Sequence, residues 1–342
     1  MKKTLLFLLV FTLIFSLCSC IATNLKISDE KNPAIEKKDP ALDEKTPLVA
    51  EKTRVSALKG PTGMGMAKMM NDGDEKYEFT IAGAPVEVQS DLISGKVDIA
   101  AVPTNLASVI FNKTEGAISV IALNTKGVLY VLDATNSIKS VEDLRGKTIG
   151  ATGQGSTPEY ILRYILTENG IDPDHDVELI FYTEHAELAT RMASGEVEIG
   201  MLPEPNATTT MASNTKLVKA LDLTAEWNKI APESALVQGC IVVRNDFMEK
   251  YPDSVKNFLD EYKASVEYVN TVEDAPEIIA KLGIVPAAAV AKKALPYCNI
   301  CYIDSNDGMK EKLSGFLEVL YSFSPKAVGG ALPSDAFYYE NK

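Results

Sequence analysis

The sequence predicts an α/β protein built as two similar lobes. Three observations carry that prediction. A self-similarity recurs at an offset of one hundred residues, each copy alternates strand, helix and strand, and each lobe opens on a strand that runs into a glycine-bearing turn. The first copy is the segment SGKVDIAAVP at 94–103, and the second is SGEVEIGMLP at 194–203. Each follows an amphipathic helical stretch, 85–93 and 187–193, that stops at a glycine, Gly95 or Gly195. A short apolar strand comes next, then a proline-containing turn that opens another helix, over 105–111 and over 206–212. Strands over 77–82 and 177–182 precede the two helices, so each copy is a crossover unit of the right-handed kind. One large doubly wound sheet could hold the same units. Between the copies, however, lie two β-rich runs (118–123 and 128–132), a loop with a short helix over 136–145 and a new strand start at 148–151. That order suits a chain leaving one lobe and beginning another.

The two lobes open alike. Val55 leads through Ala57-Leu58-Lys59 into Gly60-Pro61-Thr62-Gly63-Met64, and Thr148 leads through Ala151-Thr152 into Gly153-Gln154-Gly155-Ser156-Thr157-Pro158. Such turns aim backbone N–H groups beyond the carboxyl end of the strand, where open α/β sheets bind ligands. Neither turn is followed by Gly-Lys-Ser/Thr and neither fits G-x-G-x-x-G, which excludes the usual nucleotide cradles.

The amino end decides the compartment. Lys2 and Lys3 precede an apolar run over 4–17 that has the length of a signal-peptide core rather than a membrane span. Leu17-Cys18-Ser19-Cys20 resembles a bacterial lipobox, with cleavage before Cys20 and a diacylglycerol on its sulfur. Cys18 competes for the modification, but Cys20 has Leu at −3 and Ser at −1. Residues 1–19 are thus read as a lipoprotein signal peptide. Residues 20–52, rich in Lys, acids and Pro33, Pro40 and Pro47, are read as a flexible tether that cannot bury enough surface to fold. The body then divides into lobe 1 (53–133 and 236–342) and lobe 2 (134–235).

Loss of Lys2 and Lys3 takes the formal charge from −13 to about −15. An acidic body with no basic stripe is unsuited to nucleic acid. Cys298-x-x-Cys301 has the spacing of a redox or zinc pair, but a structural zinc needs four ligands and the chain holds only His175 and His185. The cysteines read as small buried hydrophobes, with a Cys298–Cys301 or Cys240-linked disulfide open in an oxidising compartment.

With these residues in view, the chain resembles the substrate-binding proteins of ABC importers in the nitrate/sulfonate/taurine/thiamine-precursor group. The likeness is carried by ALKGPTGM (57–64), residues 94–105, SVEDLRGK (140–147) and GSTP (155–158). It implies a two-lobed periplasmic-binding-protein-like (type II) fold with a hinge and an interlobe cleft. Crossings near 125–137 and 235–243 would join the lobes. It further implies a monomeric, lipid-anchored protein facing the extracytoplasmic side that captures a small polar metabolite and delivers it to a permease and its ATPase, with no cofactor and no metal.

The expected ligand-binding residues are Gly60, Pro61, Thr62, Gly63, Met64, Thr104, Asn105, Asn124, Thr125, Gly155, Ser156, Thr157 and Glu204. These loops carry no arginine, while Glu204 and Glu159 stand at them. That leans the ligand from simple anions toward a neutral or amine-bearing molecule such as a pyrimidine-type vitamin precursor. Two other classes share the fold: a thiamine-pyrimidine-synthase-like enzyme, which consumes a histidine and binds pyridoxal phosphate, and an adhesin or sensor lipoprotein. An exported chain is separated from cytoplasmic cofactor, and no triad, paired carboxylates or metal set can be argued from it.

Overall fold

The computed structural model describes residues 48–340. The signal peptide, Cys20 and the tether as far as residue 47 lie outside the described residues. The chain begins with β1 (Thr53–Leu58), two short helices α1 (Pro61–Met64) and α2 (Ala67–Asp72), β2 (Tyr77–Ala82), α3 (Pro85–Ile93), β3 (Ile99–Pro103), α4 (Thr104–Lys113) and β4 (Ile118–Lys126). A second run follows: β5 (Leu129–Asp133), β6 (Thr148–Thr152), α5 (Thr157–Glu168), β7 (Glu178–Tyr182), α6 (His185–Ser194), β8 (Ile199–Pro203), α7 (Asn206–Ser213), β9 (Val218–Asp222) and α8 (Leu223–Ile230). The chain then returns as β10 (Val237–Arg244), α9 (Asn245–Lys250), α10 (Pro252–Thr271), α11 (Ala275–Lys281), α12 (Ala288–Ala294), β11 (Ile300–Ile303) and α13 (Met309–Phe323).

The strands form two sheets, ordered β11-β4-β10-β3-β1-β2 and β7-β6-β8-β5-β9. Strand for strand, β2-β1-β3-β10-β4 corresponds to β7-β6-β8-β5-β9. Each sheet holds an antiparallel strand at the matching place, β10 in the first and β5 in the second, and the first adds antiparallel β11 at its edge. Strands β10 and β5 are those by which the chain arrives from the other lobe. The hundred-residue repeat has a local cause. Helix α3 buries Val88 and Leu92, and α6 buries Leu188 and Met192, four residues apart on one face. After each helix a glycine with positive φ, Gly95 (73°) or Gly195 (84°), turns the chain into the next strand. SVEDLRGK is likewise a cap: the Ser140 and Asp143 side chains form a capping box on the 3-10 turn Val141–Leu144.

One strand differs from the sequence division. The boundary after residue 133 would leave Leu129–Asp133 in lobe 1, but β5 pairs with β8 and β9 in the second sheet. An apolar run such as LYVLD fits the centre of either sheet, so composition does not assign it. The folded body also starts earlier than residue 53. The Leu48 amide donates to Asp253 Oδ2 (2.6 Å) and the Ala50 amide to Ser254 Oγ (2.8 Å), which seats residues 48–50 at the start of α10. Cys240, Cys298 and Cys301 carry free thiols, so neither disulfide alternative is formed.

The link from β4 to β5 is two residues, Gly127 and Val128. It sets the carboxyl end of β4 beside the amino end of β5. Since β1, β2 and β3 run with β4, and β6, β7 and β8 run against β5, the carboxyl edges of both sheets meet at this link. The Gly127 carbonyl accepts from Thr224 Oγ1 (3.0 Å) and Asn299 Nδ2 (2.6 Å). The Val128 amide donates to Gln238 Oε1 (2.7 Å), tying the first crossing to the second. A Cβ on Gly127 would stand 2.3 Å from Thr224 Oγ1 and 2.5 Å from Leu236 Cδ2. Gly127→Ala should therefore destabilise the protein by about 1–3 kcal/mol, the usual cost of overpacking. Gly83→Ala, whose Cβ would meet nothing closer than Glu87 Oε2 at 3.9 Å, should change stability little. Urea unfolding of the two variants checks the contrast.

Candidate ligand-binding site

The sequence-predicted residues stand at the strand ends just described, but most of their polar atoms are already engaged. In the first lobe, Gly60 adopts φ 87° and its amide donates to the Ile284 carbonyl (3.0 Å). Pro61 opens α1, where its missing N–H costs nothing. Gly63 is required sterically, since a Cβ there would lie 2.1 Å from the Leu58 carbonyl oxygen. Met64 is wholly buried in the core beside Met66 and Phe258 and packs rather than lines the opening. The buried Asn124 donates through Nδ2 to the Thr62 carbonyl (3.0 Å) and accepts from Thr125 Oγ1 (3.1 Å). Thr104 Oγ1 donates to the Val237 carbonyl at the second crossing (2.8 Å). Asn105 turns away, its Nδ2 donating to Ala327 in a C-terminal turn (3.4 Å).

In the second lobe, Ser156 Oγ donates to the Gly153 carbonyl (2.6 Å), and the Tyr160 hydroxyl donates to Gly155 (2.9 Å). Glu159 accepts from the Gly155 amide (2.6 Å) and from Arg163 Nε (2.7 Å), so it clamps its own loop. Among the predicted polar side chains, the Thr62 and Thr157 hydroxyls have no hydrogen-bond partner among the described residues. Both are part-exposed and lie at equivalent turns, after β1 and after β6.

Glu204 is buried where β8 meets α7, at a cis peptide to Pro205. Its carboxylate accepts from Lys219 Nζ (2.5 Å), Thr208 Oγ1 (2.9 Å) and the Thr208 amide (3.2 Å). The sequence argument for a neutral or amine-bearing ligand took Glu204 and Glu159 as free carboxylates. Both are neutralised within the chain, by Lys219 and Arg163.

Lys219 was not legible in the sequence. Its Nζ lies 3.1 Å from the ring centroid of Tyr297 and 4.8 Å from that of Tyr130. Burial pushes its ammonium below the ordinary lysine range, and Glu204 opposes that shift. The Tyr130 hydroxyl donates to the Tyr297 carbonyl (2.8 Å), and the rings meet edge to face at 6.0 Å. Tyr130, Glu204 and Lys219 belong to the second sheet and its connections, whereas Tyr297 immediately precedes β11 of the first. Beside this cluster opens a cavity of about 650 Å³ lined by Thr208, Met211, Ala212, Val218, Lys219, Lys293 and Tyr297. Helix α7 and strand β9 form one wall, and α12 with the turn after it forms the other.

His185 opens α6, with Nδ1 2.7 Å from Thr152 Oγ1 at the carboxyl end of β6. His175 is an exposed loop residue paired with Asp172.

Comparison with known proteins places this geometry. Residues 81–284 match the NMT1-like family, and the chain belongs to that family. YtlA of Bacillus subtilis (strain 168), named for a proposed binding role, is 25% identical over 158 residues, 37% of this chain and 47% of the relative. The chain thus spans about half the length of that curated relative. An ABC transporter protein of Parabacteroides distasonis superposes with a TM-score of 0.73 at 24% identity, covering 86% of this chain and 100% of the other. The periplasmic aliphatic sulphonate binding protein SsuA of Escherichia coli superposes at 0.68 and 16% identity, covering 86% and 93%. These likenesses show the fold, a two-lobed binding-protein architecture.

Burial lowers the His185 pKa from its ordinary 6.5, with Glu184 opposing. An unfolded imidazole then takes up a proton at a pH where the folded one does not. Stability from this residue is fully present above 6.5 and falls as the pH drops below it. Between pH 7.5 and 5.5 the wild type should lose more Tm than His185→Asn, as followed by circular dichroism. Equal losses would show that His185 is not the group responsible.

Proposed function

We propose that the protein is the extracytoplasmic solute-binding component of an ABC importer. It captures a small polar molecule between its lobes and presents it to a permease driven by an ATPase. The observation that carries this reading is the meeting of both carboxyl sheet edges at a two-residue link. A solute held there touches both halves of the chain, so binding favours closure, and closure gives a permease a shape to recognise. The NMT1-like match and the binding-protein architecture of the structural relatives support it. The chain acts as a monomeric binder and not as a catalyst.

Thr62 and Thr157 are the ligand-facing hydroxyls of this reading, together with the backbone of 60–64 and 155–157. Of the remaining predicted side chains, Asn124 and Ser156 hold those loops, through the Thr62 and Gly153 carbonyls. The protein is held at the outer face of the membrane by lipid on Cys20. No helix among the described residues is long and apolar enough to cross a bilayer.

A solute screen by thermal shift, followed by small-angle scattering, tests the function. A cognate solute at one hundred times its Kd should add about 2.7 kcal/mol of stability and compact the particle. Thr62→Val and Thr157→Val should each weaken that solute about five- to tenfold, the value of one lost hydrogen bond, with little change in the ligand-free Tm. Affinity unchanged in both variants would remove these turns from the site. Cys20→Ser should shift the protein from the membrane fraction to the soluble fraction and abolish palmitate labelling. Retention of either would refute the anchor.

A further inference from the structure

We propose that the cavity between the lobes binds a small amine with an apolar body, whose ammonium exchanges with that of Lys219 in a cage made by Glu204, Tyr130 and Tyr297. This rests on the binding-protein reading and names the class of solute taken by a cavity whose lining includes none of the 60–64 and 155–157 turn residues.

The cage has the composition that recognises an ammonium: one buried carboxylate and two aromatic faces. That an ammonium fits is visible in the position of Lys219 Nζ, 2.5 Å from Glu204 Oε1, 3.1 Å from the Tyr297 centroid and 4.8 Å from the Tyr130 centroid. The walls do not depend on Lys219. The Tyr130 hydroxyl holds the Tyr297 carbonyl (2.8 Å), and Thr208 holds the Glu204 carboxylate through its hydroxyl (2.9 Å) and its amide (3.2 Å).

Exchange is chemically balanced. When a ligand ammonium replaces that of Lys219, Glu204 keeps a paired charge, so no uncompensated carboxylate is left buried. Lys219 and Tyr297 both line the 650 Å³ cavity, which gives the lysine stem room to swing out. Rehydration of the released lysine offsets dehydration of the incoming amine. Net affinity then comes from the ligand body against Met211, Ala212 and Val218. An anion in the cage would face a carboxylate and the negative faces of two rings. Lys293, on the opposite wall, and Lys219 itself once displaced are the lining groups that favour an anion. Because Tyr297 comes from the other lobe than Tyr130 and Glu204, an ammonium in the cage touches both lobes and is coupled to closure.

The experiment is calorimetry on the full-length protein in detergent with a matched set: benzylamine, benzyl alcohol, benzoate and tetramethylammonium. The two cations should bind at least about tenfold more tightly than the alcohol or the carboxylate. Lys219→Met keeps the stem and removes the competitor, and should tighten benzylamine by about tenfold. Tyr297→Ala should weaken it by about tenfold, and Tyr297→Phe, which keeps the ring, should not. Lys219→Met leaves Glu204 unpaired and can unfold; Tyr297, 44% exposed, buries no charge when truncated, so its pair of variants decides the matter alone. Benzoate or benzyl alcohol binding as tightly as benzylamine, or benzylamine indifferent to Tyr297→Ala, would overturn the amine assignment. If such a solute still compacts the protein, the binding-protein reading survives that loss. No binding and no compaction with this set or any screened solute would remove both.

Discussion

The two-residue link at Gly127 and Val128 is the constraint on which the rest of the architecture depends. A longer connection would let β5 leave the carboxyl edge of the first sheet in any direction. With two residues it cannot, and the second sheet must begin where the first ends. Gly127 lacks a Cβ because Thr224 and Leu236 occupy the place one would take. Its carbonyl accepts from helix α8 of the second lobe through Thr224 and from Asn299 beside β11. The outgoing and returning crossings are thus bonded to each other as well as to the sheets. The lobes are free to rotate about this point only so far as these bonds allow.

A consequence runs through the chemistry of the opening. Buried backbone and side-chain polar groups must find partners, and groups near a hinge have few regular ladder bonds to use. Thr104, Asn124, Thr125, Ser156, Glu159 and Glu204 meet that need with their side chains. They are structural because they stand at the site, and what they leave over is small: two threonine hydroxyls, turn backbone and the Lys219 cluster. The buried ion pair at Lys219 fits the same logic, since an isolated charge at Glu204 would cost several kcal/mol. Asp98, in the first lobe, shows the structural version of such a pair. It is buried between Arg54 and Arg244 at the opposite edge of its sheet, bonds the Arg54 amide (2.9 Å), and opens on no interlobe space.

Much of the fold was legible because the two lobes repeat the same local solutions. Leu92 and Met192 face their sheets, Gly95 and Gly195 turn left-handed, and Pro103 and Pro203 close the strands. Each is a short-range rule visible in a string of ten residues. The membership of β5 was not legible, because a wholly apolar strand carries no mark of which sheet it joins. The strand ends of the site could be placed, but the direction of each side chain could not. Asn105 sits at the expected turn and points to Ala327, and Met64 sits in the glycine turn and faces the core. Tyr297, Lys219 and Tyr130 lie far apart in sequence, and nothing local to any of them signals the other two.

The contacts that cross between the lobes set the scale on which a ligand must act. On one flank of the link Tyr130 meets Tyr297, and on the other Tyr160 of α5 stacks on Phe323 of α13 at 5.8 Å. Aromatic pairs contribute about 0.5–1.5 kcal/mol each beyond their buried area. Trp227 of α8 also meets Phe316 of α13 edge to face at 5.6 Å, and one apolar core continues through both lobes, so the interlobe contact exceeds these two pairs. Only the part of the binding energy that differs between open and closed forms can move the balance. That part is largest for a solute whose contacts are split between the lobes, as a charge held against Glu204 on one side and the Tyr297 ring on the other would be.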